Sequence, residues 1–257
     1  MAVLSVNLNK IALIRNSRDG VSPSVVKAAR TVISAGAHGI TVHPRPDQRH
    51  IRPSDVSDLA KLLVDYQEIE FNIEGNPFAP PRGDNGYPGF DALIESALPQ
   101  QATLVPDSDG QLTSDHGWDL TGDNKRLRAA VARYQNTGAR VSLFMDPDVE
   151  QIARVRDYGA DRIELYTGPF AATLAKKGLN HADSRASLSR YLDAARYANQ
   201  AGLGVNAGHD LDLTNLILFR EISEVAEVSI GHALIIDALE FGLAEAVNRY
   251  LAALSGS

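Results

Sequence analysis

The chain reads as an α/β protein, a (β/α)8 TIM barrel, and three observations predict it. Short β-branched runs alternate with helical stretches along all 257 residues, the repeat of a parallel sheet wrapped in helices. Glycines close helices just before the next strand begins: Ala35-Gly36-Ala37, Thr137-Gly138-Ala139, Tyr158-Gly159-Ala160 and Ala201-Gly202-Leu203. Polar and basic residues gather where the strands stop. A doubly wound sheet would use fewer units and a Gly-rich first turn, and Asn9-Lys10-Ile11 has no glycine. One domain spanning 1–257 is expected, without a linker and with room for extra helices in the loops.

Taken in order, 4–9 is the first strand and 24–35 a helix with Ser24 as its start signal. Strand two, 39–43, is Gly-Ile-Thr-Val-His, stopped by Pro44 and Pro46. A helix opens near Pro53-Ser54-Asp55 and runs to 63, with proline suited to its first turn. In 68–74, Ile69, Phe71 and Ile73 alternate with polar residues, so the period is two and the element a strand. The Gly-, Pro- and Asn-rich 75–89 is a long loop. Helix 90–98 and strand 102–105 follow, then a polar loop over 107–119. The second half continues with helix 123–135, strand 140–145, helix 148–158 and strand 162–166. It ends with helix 185–201, strand 204–207, helix 213–221, strand 227–230 and helix 237–254. Eight strands therefore alternate with eight helices.

Composition narrows the function. A net charge of −7 and a pI near 5.5, with no basic cluster, argue against a nucleic-acid partner. The absence of cysteine excludes disulfides, thiolate zinc sites and a cysteine nucleophile, and fits a reducing cytoplasm. The first residues, Met-Ala-Val-Leu-Ser-Val-Asn, lack a basic n-region, and no run reaches the ~18–20 apolar residues that span a bilayer. A cytoplasmic protein with no membrane partner is expected.

If the barrel is right, ligands bind at the carboxyl ends of the strands. Those ends carry Asn7, His43, Arg45, Glu74, Thr113, Glu164, His209 and His232. His43, Arg45, Arg49 and His50 crowd the end of strand two, four groups able to carry positive charge, which suggests an anion such as phosphate. Asn206-Ala207-Gly208-His209 and Ser229-Ile230-Gly231-His232-Ala233 place small residues where backbone N–H groups approach an anion. Two anion sites imply two phosphorylated substrates or one bisphosphate. Metal ligation by His43, His50, Glu74 and His209 has less support, because nothing follows the His-Glu-x-x-His pattern.

These residues, in this order, resemble the pyridoxine 5′-phosphate synthases of the deoxyxylulose-5-phosphate-dependent vitamin B6 pathway. The resemblance runs over nearly the whole chain. It rests on Val6-Asn7 with Arg15-Asn16-Ser17-Arg18, Gly39-Ile40-Thr41-Val42-His43 with Arg45 and Arg49-His50-Ile51, and Asn72-Ile73-Glu74. Further blocks are Leu104-Val105-Pro106, Val141-Ser142-Leu143-Phe144, Glu164-Leu165-Tyr166-Thr167-Gly168, Val205-Asn206-Ala207-Gly208-His209 and Ile230-Gly231-His232-Ala233.

The resemblance implies a transferase-class, cofactor-independent ring closure. 3-Amino-2-oxopropyl phosphate would condense with 1-deoxy-D-xylulose 5-phosphate to give pyridoxine 5′-phosphate, inorganic phosphate and water. By resemblance His43 and Glu74 are general bases, His209 a proton donor, and Glu164 stabilises a transition state. Arg45, His50 and Thr113 would hold the deoxyxylulose phosphate. Asn7, the backbone around Asp210, and Gly231-His232 would hold the aminoketone phosphate, with Arg18 in the same shell. A homo-octamer with helices beyond the barrel is implied as well.

Three departures stand out. Asn9-Lys10 replaces the usual Asp-His substrate-binding pair, Asp210 follows His209 where glycine is usual, and the 76–89 loop is longer. They keep two other classes open: a phosphosugar isomerase or aldolase using Lys10 as an imine-forming amine, and a barrel that binds phosphometabolites without catalysis.

Overall fold

The structure, a computed structural model, describes residues 2–18 and 20–256. Its strands are β1 (Val3–Asn7), β2 (Gly39–Val42), β3 (Glu70–Gly75) and β4 (Gln101–Leu104). They continue as β5 (Arg140–Met145), β6 (Arg162–Tyr166), β7 (Gly204–Gly208) and β8 (Val225–Ile230). All are parallel, they pair in chain order, and β8 closes onto β1. The barrel expected from the alternation is the fold.

Around it lie α1 (Asn9–Asn16), α2 (Val25–Ser34), α3 (Pro53–Leu63), α4 (Phe90–Ala97), α5 (Lys125–Gln135) and α6 (Val149–Ile152). The ring is completed by α7 (Gly168–Lys177), α8 (Ala182–Gln200), α9 (Leu216–Phe219), α10 (His232–Phe241) and α11 (Leu243–Ser255). No helix among the described residues is long and apolar enough to cross a membrane.

Local chemistry sets many of these boundaries. The Ser24 side chain accepts from Lys27 N (3.3 Å) at the start of α2, and Asn124 Oδ1 accepts from Leu127 N (3.0 Å) at α5. Pro53 opens α3, where Asp55 Oδ2 accepts from Arg52 N at 2.8 Å. Gly36, Gly138, Gly159 and Gly202 have φ of 99°, 94°, 79° and 79°, the left-handed turn that ends a helix at little cost only for glycine.

The helix count differs from the expected eight. The first strand stops at Asn7, whose Oδ1 accepts from Asn9 N at 3.0 Å and so opens α1. Asn9 and Lys10 therefore lie in a helical first turn rather than a strand end and loop. Helices α7 and α10 begin directly after strand ends, at Gly168-Pro169 and after Gly231. The expected helix over 148–158 divides into α6 and a 3-10 turn, Val155–Tyr158. That over 213–221 shortens to α9. That over 237–254 breaks at Gly242, where φ is 82°.

Strand side chains sort by parity. Leu4, Val6, Ile40, Val42, Ile73, Leu143, Ile163 and Leu165 are fully buried. The alternate set is polar and bonds to itself across the strands. Ser5 Oγ meets Thr41 Oγ1 at 2.8 Å, Thr103 Oγ1 donates to Asn72 Oδ1 at 3.0 Å, and Arg162 Nη1 donates to Asn206 Oδ1 at 2.7 Å. The interior is thus filled by hydrogen-bonding groups rather than the branched apolar layers common in such barrels. Arg140 pairs with Glu70 where strands β3 and β5 begin, and nearby Glu227 is pushed up by burial and by the charge of Glu70.

Candidate active site

A cavity of about 420 Å³ opens at the carboxyl ends of the strands. Asn7, Asn9 and Lys10 reach it from β1 and the first turn of α1; His43, Arg45 and His50 from the segment after β2; Glu74 from β3. Thr113 comes from the loop after β4, Glu164 from β6, His209 and Asp210 from beyond β7, and Gly231 with His232 from the start of α10. Of the residues singled out in the sequence, Arg18 is the one not among the cavity lining; it is exposed.

The centre is a hydrogen-bonded run of polar groups. Asn7 Nδ2 donates to Glu74 Oε2 at 3.3 Å, and His43 Nδ1 lies 3.8 Å from the same oxygen. Asn9 turns its Oδ1 to the backbone of the site, accepting from His43 N at 2.9 Å. That bond fixes the end of β2 against α1.

Burial and the charges of Arg45, His50 and Arg49 hold the His43 imidazole well below its usual range, so it is neutral and free to accept a proton. Burial pushes the Glu74 carboxyl up to about 7, with Asp107 raising and Arg45 lowering it. Glu164 is raised well above an ordinary carboxyl, first by burial and then by Glu74 and Glu227. That shift favours its protonated form, and its Oε2 has no hydrogen-bond partner among the described residues. A neutral imidazole, a carboxyl pushed up to about 7 and a second carboxyl raised by burial share a wall, the distribution needed to take up and return protons.

The cationic side differs from the expected four charges. Ile51 N donates to His50 Nδ1 at 2.9 Å, leaving Nε2 to carry the ring proton. Burial and the two arginines push His50 down to about 3, so it offers an N–H rather than a charge. With His43 also neutral, the positive charge comes from Arg45, Arg49 and Lys10. Arg45 pairs with buried Asp107 and donates to Gln111 O at 3.2 Å. Arg49 lies 2.5 Å from Asp47 and donates to Leu112 O at 3.2 Å. Both arginines thus clasp the loop that carries Thr113.

Across the cavity, Thr113 Oγ1 stands 2.7 Å from His209 Nε2, and Tyr166 packs edge-on to the same imidazole with centroids 5.2 Å apart. Thr167 Oγ1 donates to Gly208 O at 2.7 Å and steadies the end of β7. Gly208 leaves room for Glu164, because an added Cβ would come 2.3 Å from its Oε1 and force that carboxyl to shift. A Cβ on Gly231 would stand 3.0 Å from Asn7 Cβ, and α10 begins immediately after this glycine.

Asp107, Ser114 and Phe144 were not anticipated. Asp107 and Ser114 sit in a loop with no motif, and only the demand of a buried Arg45 for a carboxylate would have singled one out. Phe144 is the penultimate residue of β5, in register with Glu164 of β6, and that position was the available signal. No group of three His, Asp or Glu side chains among the described residues converges as a metal site would.

A model of the PdxJ family, described as pyridoxal phosphate biosynthesis protein PdxJ, matches residues 4–256. A pyridoxine 5′-phosphate synthase from Xanthomonas campestris pv. campestris (strain B100) is 56% identical over 254 residues, covering 98% of this chain and 96% of the relative. One from Albidiferax ferrireducens is 52% identical over 250 residues, covering 96% and 95%. Among solved structures, 3-keto-L-gulonate-6-phosphate decarboxylase from Vibrio cholerae aligns with a TM-score of 0.56 at 13% identity, covering 97% of this chain and 98% of that one. A phosphoribosylanthranilate isomerase from Thermotoga maritima gives 0.54 at 11% identity, covering both chains fully. These two speak for the barrel alone.

Proposed function

The chain belongs to the PdxJ family of pyridoxal phosphate biosynthesis proteins, and from that premise we propose that its cavity performs the pyridoxine 5′-phosphate synthase reaction, condensing 3-amino-2-oxopropyl phosphate with 1-deoxy-D-xylulose 5-phosphate. The observation that carries this reading is the neutral His43 imidazole 3.8 Å from the Glu74 carboxyl, beside a cluster of arginines. Ring closure passes through imine formation, dehydration and enolisation, and each moves a proton. His43 and Glu74 take protons up. His209 returns one to a departing hydroxyl. Glu164, buried and raised well above an ordinary carboxyl, donates toward negative charge developing on oxygen. Arg45, His50 and Thr113 hold the deoxyxylulose phosphate. Asn7, the backbone at 210 and the Gly231-His232 turn hold the aminoketone phosphate. Phosphate binding remote from the reacting carbons supports their positioning.

A homo-octamer in a cytoplasmic setting belongs to the same reading. Leu13 and Ile14 of α1 and Ile236, Leu239 and Phe241 of α10 are 38–76% exposed. The two helices touch, and such an apolar face favours burial against another copy. Sedimentation would give the assembly size, and a monomer would remove this part.

Direct turnover tests the whole reading. Mixing the enzyme with both phosphates should yield pyridoxine 5′-phosphate and inorganic phosphate; no product from folded protein overturns it. Lys10→Met should raise KM for the deoxyxylulose phosphate roughly 10-fold or more while leaving kcat nearly unchanged, because a charge-assisted bond shared by ground and transition states is lost. An unchanged KM would remove Lys10 from substrate binding. Collapse of kcat, with borohydride trapping an imine on Lys10 in the wild type, would favour a lysine aldolase instead.

A further inference from the structure

The backbone at position 210 has a place in the proposed phosphate contact; the Asp210 carboxylate has none. Its position is costly on two counts. His209 and Asp210 both have positive φ, 85° and 58°, in the left-handed region that few side chains tolerate. A carboxylate beside a phosphate site also repels the ligand. Both costs would be offset if the carboxylate acted on a cation.

The geometry supplies one. Asp210 Oδ2 lies 3.0 Å from His209 Nδ1, while Nε2 of the same ring is 2.7 Å from Thr113 Oγ1 at the cavity wall. Nδ1 has no aligned hydrogen bond among the described residues, and the carboxylate sits off the ring's N–H line at ion-pair distance. We propose that Asp210 is a positioning residue for His209, holding a proton on Nδ1 and stabilising the imidazolium so that Nε2–H faces the substrate. The Nε2 proton then passes to a departing hydroxyl, which leaves as water. The ring is left neutral with its Nδ1–H toward the carboxylate.

Other charged groups face this pair. His209 itself, then His232 from α10 and Lys10 from α1, hold Asp210 below the usual carboxylate range. Tyr166 from β6 presents a neutral phenol, raised by burial, Asp210, Asp115 and Asp146. Glu164 lies behind Gly208, its carboxyl raised well above the ordinary range by burial. Asp210 is thus the ionised carboxylate in contact with the ring.

The inference rests on His209 being the proton donor of the proposed reaction, and the experiment separates the two. Asp210→Asn keeps size, and asparagine tolerates left-handed backbone. It should lower kcat about tenfold, change KM for the aminoketone phosphate little, and move the alkaline limb of kcat/KM about one pH unit lower. Asp210→Gly, which relaxes the backbone, should show the same loss and serves if the Asn variant folds poorly. Unchanged kcat and pH profile in both variants overturn the inference. So does a lower kcat without movement of the limb, which marks a merely structural role, or a change in KM alone, which marks substrate contact. His209→Gln tests the underlying reading: if it stays active, His209 is not the donor. If it is inactive while Asp210→Asn is normal, only the inference fails.

Discussion

Glu74→Gln is expected to lower kcat by about 10²–10⁴-fold while the protein stays folded, the loss typical when a positioned base is removed. Glutamine keeps the shape and still accepts from Asn7 Nδ2, which stands 3.3 Å from Glu74 Oε2. It cannot take a proton. The wild-type kcat/KM should fall on the acid side of about pH 7, where burial and Asp107 place the Glu74 carboxyl, and that limb should vanish in the variant. The same shift predicts a stability signature. The folded carboxyl is raised above its ordinary value of 4.5, so its protonated form favours the fold below that pH, and this contribution disappears as pH rises through about 7. Glutamine never ionises. The variant should therefore melt higher than wild type above pH 7 and alike below pH 4.5. Near-normal kcat in a folded Gln variant would remove Glu74 from the chemistry.

Arg15→Met is expected to cost about 3–5 kcal/mol of stability, the penalty for leaving one member of a buried ion pair alone. Arg15 and Asp55 are 6% and 7% exposed. Arg15 Nη1 pairs with Asp55 Oδ1, and Nη2 donates to Asp55 Oδ2 at 2.9 Å and to His50 O at 3.1 Å. Asp55 in turn accepts from Arg52 N at the start of α3. The guanidinium thus ties α1 to α3 and to the segment that carries Arg45 and His50. Denaturant titration measures the loss, and a change under about 1 kcal/mol would mean the pair behaves as a solvated one. Replacing Asp55 by Leu in the same chain should recover much of the loss, since no charge is then left buried.

Parts of the site were legible because they depend on local pattern. His43, Glu74, Glu164 and His209 sit at strand ends, and a closed barrel brings strand ends together whatever fills its core. The polar alternation in Glu70–Gly75 could be read residue by residue, and it is the reason Glu74 faces inward. Helix α1 escaped because Leu4, Val6 and Leu8 alternate with polar residues and carry the strand reading on to Asn9, and only the Asn7 side chain marks the change. The start of helix α10 escaped because Gly231 reads equally as a turn and as the residue before a helix.

What the amino-acid order determined by itself is the alternation of strand and helix, the glycines that end the helices, and hence the barrel and the face where its chemistry collects. These follow from side-chain periodicity and backbone preference over a few residues. Only the tertiary structure decided the charge state of that face. Asp107, 62 residues from Arg45, supplies the carboxylate that pairs with it. Burial beside Arg45 and Arg49 makes His43 and His50 neutral, where the sequence suggests four cations. Ionisation depends on how much water is excluded and on charges brought near by distant segments, and neither quantity is encoded in local spacing.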